Sequence, residues 1–155
     1  MPQNHLLALY NRMLTYPMGR RIFSRFAARK ARYFTSISPI VEKLEANCCT
    51  VSIRKRKAVS NHIGTVHVIA IANGLEMAMG FMAEASIPTH LRWIPKGMSL
   101  EYVSKGATDI TCTARVAPST WRPGEIDVPV VAKDTNGNDV VTGTIRLWVT
   151  EKPAK

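Results

Sequence analysis

The segment Asn61-His62-Ile63-Gly64-Thr65-Val66-His67 is followed, nine residues after His67, by Glu76. Glu76 lies inside a run, Val66 to Ala85, that is apolar on nearly every side when wound as a helix, so protein should wrap most of its faces. A carboxylate in such a run is expensive to bury unless it is partnered or neutralised. Chains keep a group of this kind most readily where chemistry needs a carboxylate of tuned acidity. Plainer readings stand beside that one. Glu76 would serve as a structural carboxylate if Arg92 or another cation paired with it. His67 would cap the helix start, a role compatible with chemistry, and Asn61 would do no more than shape a turn. Asn73, one turn before Glu76, is a second polar group on the run and a candidate for a hydrogen bond at a subunit interface. Glu84, near the end of the run, should be solvated.

The elements that position these residues follow from periodicity. Leu6, Leu7, Tyr10, Met13 and Leu14 predict an amphipathic helix over 5–16, ended by Pro17 and Gly19. Ile22, Phe26, Arg29 and Tyr33 predict a second, strongly basic helix from Arg20 to about Phe34. It reads first as a helix packed on the main domain with a solvated cationic face, and alternatively as a membrane-surface or phosphate-binding helix. A strand is expected over Leu44–Lys57, then a loop over Ala58–Thr65, then the apolar helix, broken near Pro88. Period-two segments follow at Met98–Tyr102, Ile110–Val116, Ile126–Ala132 and Ile145–Val149, with a turn at Lys105-Gly106 and a hairpin signal at Asn136-Gly137. The predicted order is helix, helix, strand, long buried helix, four strands. Consecutive late strands predict an antiparallel meander rather than a parallel sheet. One apolar sheet face on one long helix predicts an α+β domain with a curved sheet wrapped around the helix.

That order and the motif together resemble the hotdog fold and, within it, the acyl-CoA thioesterases. Their pattern runs Asn-x-x-Gly-x-x-His-Gly-Gly, with Asp or Glu nine residues after the His. Asn61, Gly64, His67 and Glu76 match it in type and spacing, and His62 falls on a position that the pattern leaves variable, which makes a structural role its simplest reading. The likeness extends over roughly 40–150. It divides the chain into a basic helical extension, 1–36, and a hotdog thioesterase-like domain, 37–155. The stretch is also similar to a little-described bacterial branch of the superfamily, some members of which are fused to acetyltransferase domains, for which this chain has no room. It departs from the pattern at Val68-Ile69, where Gly-Gly is usual; Val68 keeps an N–H, but its side chain would restrict the approach of substrate.

The resemblance implies a mechanism. The Val68 N–H, at the positive end of the helix, would polarise a thioester carbonyl and hold the oxyanion. His67 would set the turn. Glu76 would act as general base on water, or attack directly to give a mixed anhydride, with Asn61 orienting the carboxylate or the water. Gly64, Thr65 and the cations Arg92, Lys96 and Lys105 would contact the coenzyme A portion. At about 100° and 1.5 Å per residue, His67 and Glu76 fall on opposite sides of one helix and about 13 Å apart along its axis. Two chains paired about a two-fold axis can bring them together, and a homodimer, or a dimer of dimers, is what the resemblance implies. The alternative is a non-catalytic hotdog protein that binds acyl-CoA or a protein partner. A hydratase or dehydratase on this fold would carry a His beside Pro-Gly ahead of the helix, which is absent.

Charge narrows the partners. The net charge is +10, and Arg20, Arg21, Arg25, Arg29, Lys30, Arg32 and the run Arg54–Lys57 hold 10 of the 21 basic residues. Such surfaces attract nucleic acid, anionic lipid or a phosphate-bearing ligand such as coenzyme A. Nucleic acid is not expected, because the 7% aromatic residues are not grouped into a stacking platform. Three cysteines, Cys48, Cys49 and Cys112, have no metal-ligand spacing and read as free thiols of a reducing cytosol. No signal-peptide pattern opens the chain, and Glu76 and Glu84 interrupt its longest apolar stretch, so a cytoplasmic location without a membrane span is expected. No metal is expected, and no cofactor beyond the coenzyme A of the substrate. Met77, Met79, Phe81 and Met82 would suit a tunnel for an aliphatic or aryl chain, although such residues are more often plain core.

Overall fold

Asn4 begins the first helix, α1 (His5–Leu14), by accepting the amides of Leu6 and Leu7 at 3.0 and 3.2 Å. The computed structural model describes residues 4–153, so residues 1–3 and 154–155 of the two expected segments lie outside it. The turn after α1 brings the backbone so close that a Cβ on Gly19 would sit 1.6 Å from the Met13 carbonyl oxygen. Only glycine fits there, and α2 (Gly19–Lys30) departs from that point. It buries Phe23, Ala27 and Ala28, with Phe23 edge-on to Tyr10 at 5.0 Å between ring centroids. Both helices share one core with the sheet.

The second helix is shorter than its stripe predicts. Ala31 is extended at φ −121°, and the chain resumes as a 3-10 helix over Arg32–Ile37. Tertiary bonds hold that segment: Arg56 donates to the Ser36 carbonyl at 3.0 Å and to Ser38 Oγ at 3.1 Å.

The single strand expected over Leu44–Lys57 is instead a hairpin, β1 (Ile40–Glu45) and β2 (Cys48–Ile53). Asn47 turns the chain at φ +65°. Its amide donates to Ser86 Oγ and its Oδ1 accepts the Trp121 indole N–H, both at 2.7 Å, so distant partners support the turn. The basic run Arg54–Lys57 lies beyond the strand.

The long helix, α3 (Val68–Ser86), follows the motif loop. Its 19 residues, of mean hydropathy 1.3, meet the length and composition of a membrane span despite Glu76 and Glu84. Here the sheet covers it: Leu75, Met77, Ala78, Met79 and Met82 are fully buried among strand residues such as Val51, Ile53, Cys112 and Leu147. Met77, Met79 and Met82 are therefore core.

β3 (Leu91–Tyr102), β4 (Ile110–Arg115), β5 (Gly124–Lys133) and β6 (Asp139–Glu151) complete one antiparallel sheet of order β1-β2-β4-β5-β6-β3. Its curve around α3 is the hotdog architecture that the resemblance implies. The meander holds for β4–β5–β6. β3 departs from it: it pairs with β6 from Leu91↔Glu151 to Tyr102↔Val141 and forms an edge of the sheet. Lys105-Gly106 is accordingly part of a crossing from that edge to β4, not a hairpin turn. At the β5–β6 hairpin Asp134 Oδ1 accepts the amides of Asn136 and Asn138, each at 2.9 Å, and Gly137 adopts φ +84°.

Candidate active site at the start of the central helix

Asn61 folds the motif loop onto itself. Its Oδ1 accepts the amides of Ile63 at 3.2 Å and Thr65 at 3.0 Å, and its Nδ2 donates to Thr65 Oγ1 at 2.8 Å. Gly64 completes the turn at φ +78°, a conformation that L side chains rarely adopt. The loop is anchored below by the Val66 amide donating to the Gly106 carbonyl and by the His67 amide donating to that of Val59, each at 2.8 Å. His67 is then extended at φ −62°, ψ 134°, and caps α3: its Nδ1 accepts the Ile69 amide at 3.1 Å. In the neutral ring this leaves the proton on Nε2. The His67 carbonyl takes the Ile71 amide. The amides of Val68 and Ala70 have no acceptor among the described residues, so the positive end of α3 presents a free donor where an anion or a polarised carbonyl would be stabilised.

These residues border a cleft of about 250 Å³. Asn61, Thr65, His67, Val68 and Lys105 line it, with Gly64 on the same loop. Val66, Ile71, Val140 and Val141 supply apolar walls, and Tyr102 and Ser104 complete its rim. The sequence reading missed Tyr102, Ser104, Val140 and Val141 as lining residues. They arrive through the β3–β6 pairing, and no local pattern sets them apart from other strand residues.

Glu76 lies elsewhere. It is half-buried, nine residues along α3, and has neither a hydrogen bond nor an ion pair among the described residues. The structural pairing with Arg92 does not form, since Arg92 Nε donates to Thr150 Oγ1 at 3.0 Å. Lys96 pairs with Glu125 at 3.4 Å and lies 4.8 Å from the centroid of the Trp148 ring. Neither cation reaches the cleft within one protomer. Asn73 bonds inside the chain, where its Nδ2 donates to the Tyr33 carbonyl at 3.3 Å and to Ser36 Oγ at 3.2 Å. Among the described residues no three His, Cys, Asp or Glu side chains converge as metal ligands.

Glu76 stands on a strip of α3, Ile69-Ala72-Glu76-Gly80, that the rest of the chain leaves partly or fully exposed. Beside that strip lies the unpaired edge of β3. Met98, Leu100 and Tyr102 share a register face with Ile145, Gly143 and Val141. Ile145 and Val141 are buried, yet Met98 and Tyr102 are 40% and 64% exposed, because they stand on β3, the outermost strand of the sheet.

A family described as a domain of unknown function, DUF4442, matches residues 19–149. No curated protein matches the chain in sequence. Among solved structures, a structural-genomics protein is 35% identical, covering 95% of this chain and 98% of that one at a TM-score of 0.83. A Pseudomonas aeruginosa protein of unknown function, described as a probable thioesterase, is 18% identical, with 88% and 97% covered and a TM-score of 0.77. A hypothetical thioesterase of Streptococcus pneumoniae, solved with coenzyme A, is 14% identical, with 82% and 99% covered and a TM-score of 0.67.

Proposed function

Since the chain belongs to the DUF4442 family and has the hotdog fold, we propose that it hydrolyses acyl-CoA thioesters at sites shared between two subunits. The observation that carries this reading is Glu76: half-buried, without a partner among the described residues of its own chain, and placed on the open strip of α3 beside the uncovered face of β3. A long edge strand with apolar side chains is a template for pairing. Two-fold pairing along β3 would cover Met98 and Tyr102 and set Glu76 of the partner subunit against the start of α3. The likeness to proteins described as thioesterases, one of them solved with coenzyme A, supports the same substrate class.

In this mechanism the acyl carbonyl lies in the cleft with its oxygen on the Val68 N–H. The partner's Glu76 takes a proton from water as the water oxygen attacks the carbonyl carbon. The C–S bond then breaks, and the thiolate of coenzyme A leaves and takes up the proton. Direct attack by the carboxylate, giving a mixed anhydride that water cleaves, uses the same geometry. Asn61 holds the loop, and its second Nδ2 hydrogen is left to orient water. His67 positions the Val68 and Ile69 amides. Lys105, on the rim, is the nearest of the expected cations to the cleft, while Arg92 and Lys96 would serve only across the seam. Three buried free thiols suit a reducing compartment.

The test offers purified protein a panel of acyl-CoAs of varied chain length and measures free thiol release, beside Glu76→Gln. We expect release by the wild type and a loss on the order of a hundredfold or more in the variant. Full activity in Glu76→Gln would remove the role given to this residue. One observation favours a second reading: Val68 lines the cleft at a position where the thioesterase pattern has Gly, and the Ile69 side chain beside it is exposed. Tight acyl-CoA binding without thiol release from any member of the panel would establish a binding protein instead.

A further inference from the structure

Two ridges run side by side along the outer face of α2. Arg21, Arg25 and Arg29 form one at i, i+4 spacing, and Met18, Ile22 and Phe26 form the other. The arginines line a groove of about 600 Å³ with Ser24, Thr35 and Ser38. Arg20 pairs with Glu42 at 3.1 Å, but Arg21, Arg25, Arg29, Lys30 and Arg32 have no ion pair among the described residues. Residues 1–41 contain seven Arg or Lys and no Asp or Glu. Charge alone would mark only a solvated face. The apolar ridge is what solvation leaves unexplained: Met18, Ile22 and Phe26 are 65%, 51% and 52% exposed. Lys30 Nζ lies 5.6 Å from the centroid of the Phe26 ring, so cation and aromatic ring share one surface.

We infer that α2 docks the protein flat on an anionic phospholipid bilayer, with the arginine ridge among the phosphate headgroups and Met18, Ile22 and Phe26 inserted at the acyl boundary. A helix with a basic stripe beside an apolar one takes this position at a membrane interface. The chemistry discriminates against other occupants. A soluble phosphate or a nucleic acid backbone would satisfy the arginines and leave the apolar ridge in water. A second copy of the chain, meeting this face with its own, would set arginine against arginine. The inference is independent of the hydrolase reading.

The test is co-sedimentation of the full chain with vesicles of phosphatidylcholine, with and without phosphatidylglycerol. We expect binding to the anionic vesicles only, weakened by salt. Each cation near such a surface contributes about a fivefold factor, so R21Q/R25Q/R29Q should weaken binding on the order of a hundredfold. I22S/F26S, with all its charge retained, should weaken it roughly tenfold or more. Emission from Phe26→Trp should shift to the blue on the vesicles. All five positions substituted by Gln or Ser are at the surface or on the groove, and circular dichroism with thermal unfolding checks that the fold is kept. Failure of the wild type to bind anionic vesicles would overturn the inference. So would binding unaffected by I22S/F26S, or binding abolished by millimolar inorganic phosphate at constant ionic strength, which would assign the groove to a soluble anion. Loss of self-association in I22S/F26S, seen by analytical ultracentrifugation, would assign the face to a second copy and overturn it as well.

Discussion

Nδ1 of His67 accepts the amide of Ile69 at 3.1 Å, one residue beyond the Val68 amide that is left free. The imidazole therefore secures the first turn of α3 and leaves the amide of Val68, a residue that lines the cleft, without an acceptor among the described residues. His67→Ala should lower the unfolding free energy by about 1 kcal/mol, the usual worth of a helix cap, and should reduce thiol release because the donor loses its support. His67→Asn, which retains a capping acceptor, should recover most of both. Urea unfolding and the thiol-release assay check this together. Stability restored without activity would mean that the ring does more than cap.

Mixed dimers test whether the site is shared. A subunit carrying Glu76→Gln and one carrying Val68→Pro, which lacks the N–H, are each expected to be inactive. In a heterodimer one of the two sites regains both groups. Random exchange makes about half of all dimers mixed, so the mixture should recover roughly a quarter of wild-type activity. A mixture as inactive as its parents, with exchange demonstrated, would place both groups in a single subunit.

The seam itself can be broken from β3. Ile94 is 59% exposed and Met98 lies on the uncovered inner face of the strand. Ile94→Glu with Met98→Glu places four carboxylates along a two-fold seam, where like charges repel. The mass from light scattering should fall to that of a monomer, with cooperative unfolding retained and thiol release lost. A persistent dimer would put the interface elsewhere.

Gly143 on β6 pairs with Leu100 on β3, and a Cβ there would lie 2.1 Å from the Ser99 carbonyl oxygen. That contact is with backbone, which cannot swing aside as a side chain can. Gly143→Ala should gain up to about 1 kcal/mol from a less flexible unfolded chain but cost roughly 3 kcal/mol in displaced backbone. Net destabilisation is expected, with hydrogen exchange accelerated along Leu91–Tyr102 first.

Burial pushes the pKa of the Cys49 and Cys112 thiols well above the ordinary thiol range, so little thiolate forms at neutral pH. Iodoacetamide should leave both unmodified in the native chain at pH 8 and alkylate them once the chain is unfolded in urea; mass spectrometry of the peptides reads the result. Modification in the native state would mean that the sheet opens locally.

The motif loop and α3 could be read from residue types because their determinants are local. Asn61 and Gly64 carry their turn chemistry with them, His67 caps the helix it precedes, and an apolar run of helical length specifies burial. Glu76 was notable for the same reason, since a carboxylate in such a run demands an explanation wherever the run is placed. Other features rest on bonds between segments far apart in the chain. Asn47 turns β1 into β2 with the help of Ser86 and Trp121. β3 reaches the sheet edge by pairing along β6, about 50 residues later, and that pairing also carries Tyr102 to the cleft and leaves Arg92 and Lys96 away from it. Strand order and register are chosen by summed hydrogen bonding and burial over the whole sheet, and neither quantity is present in any short window of residues.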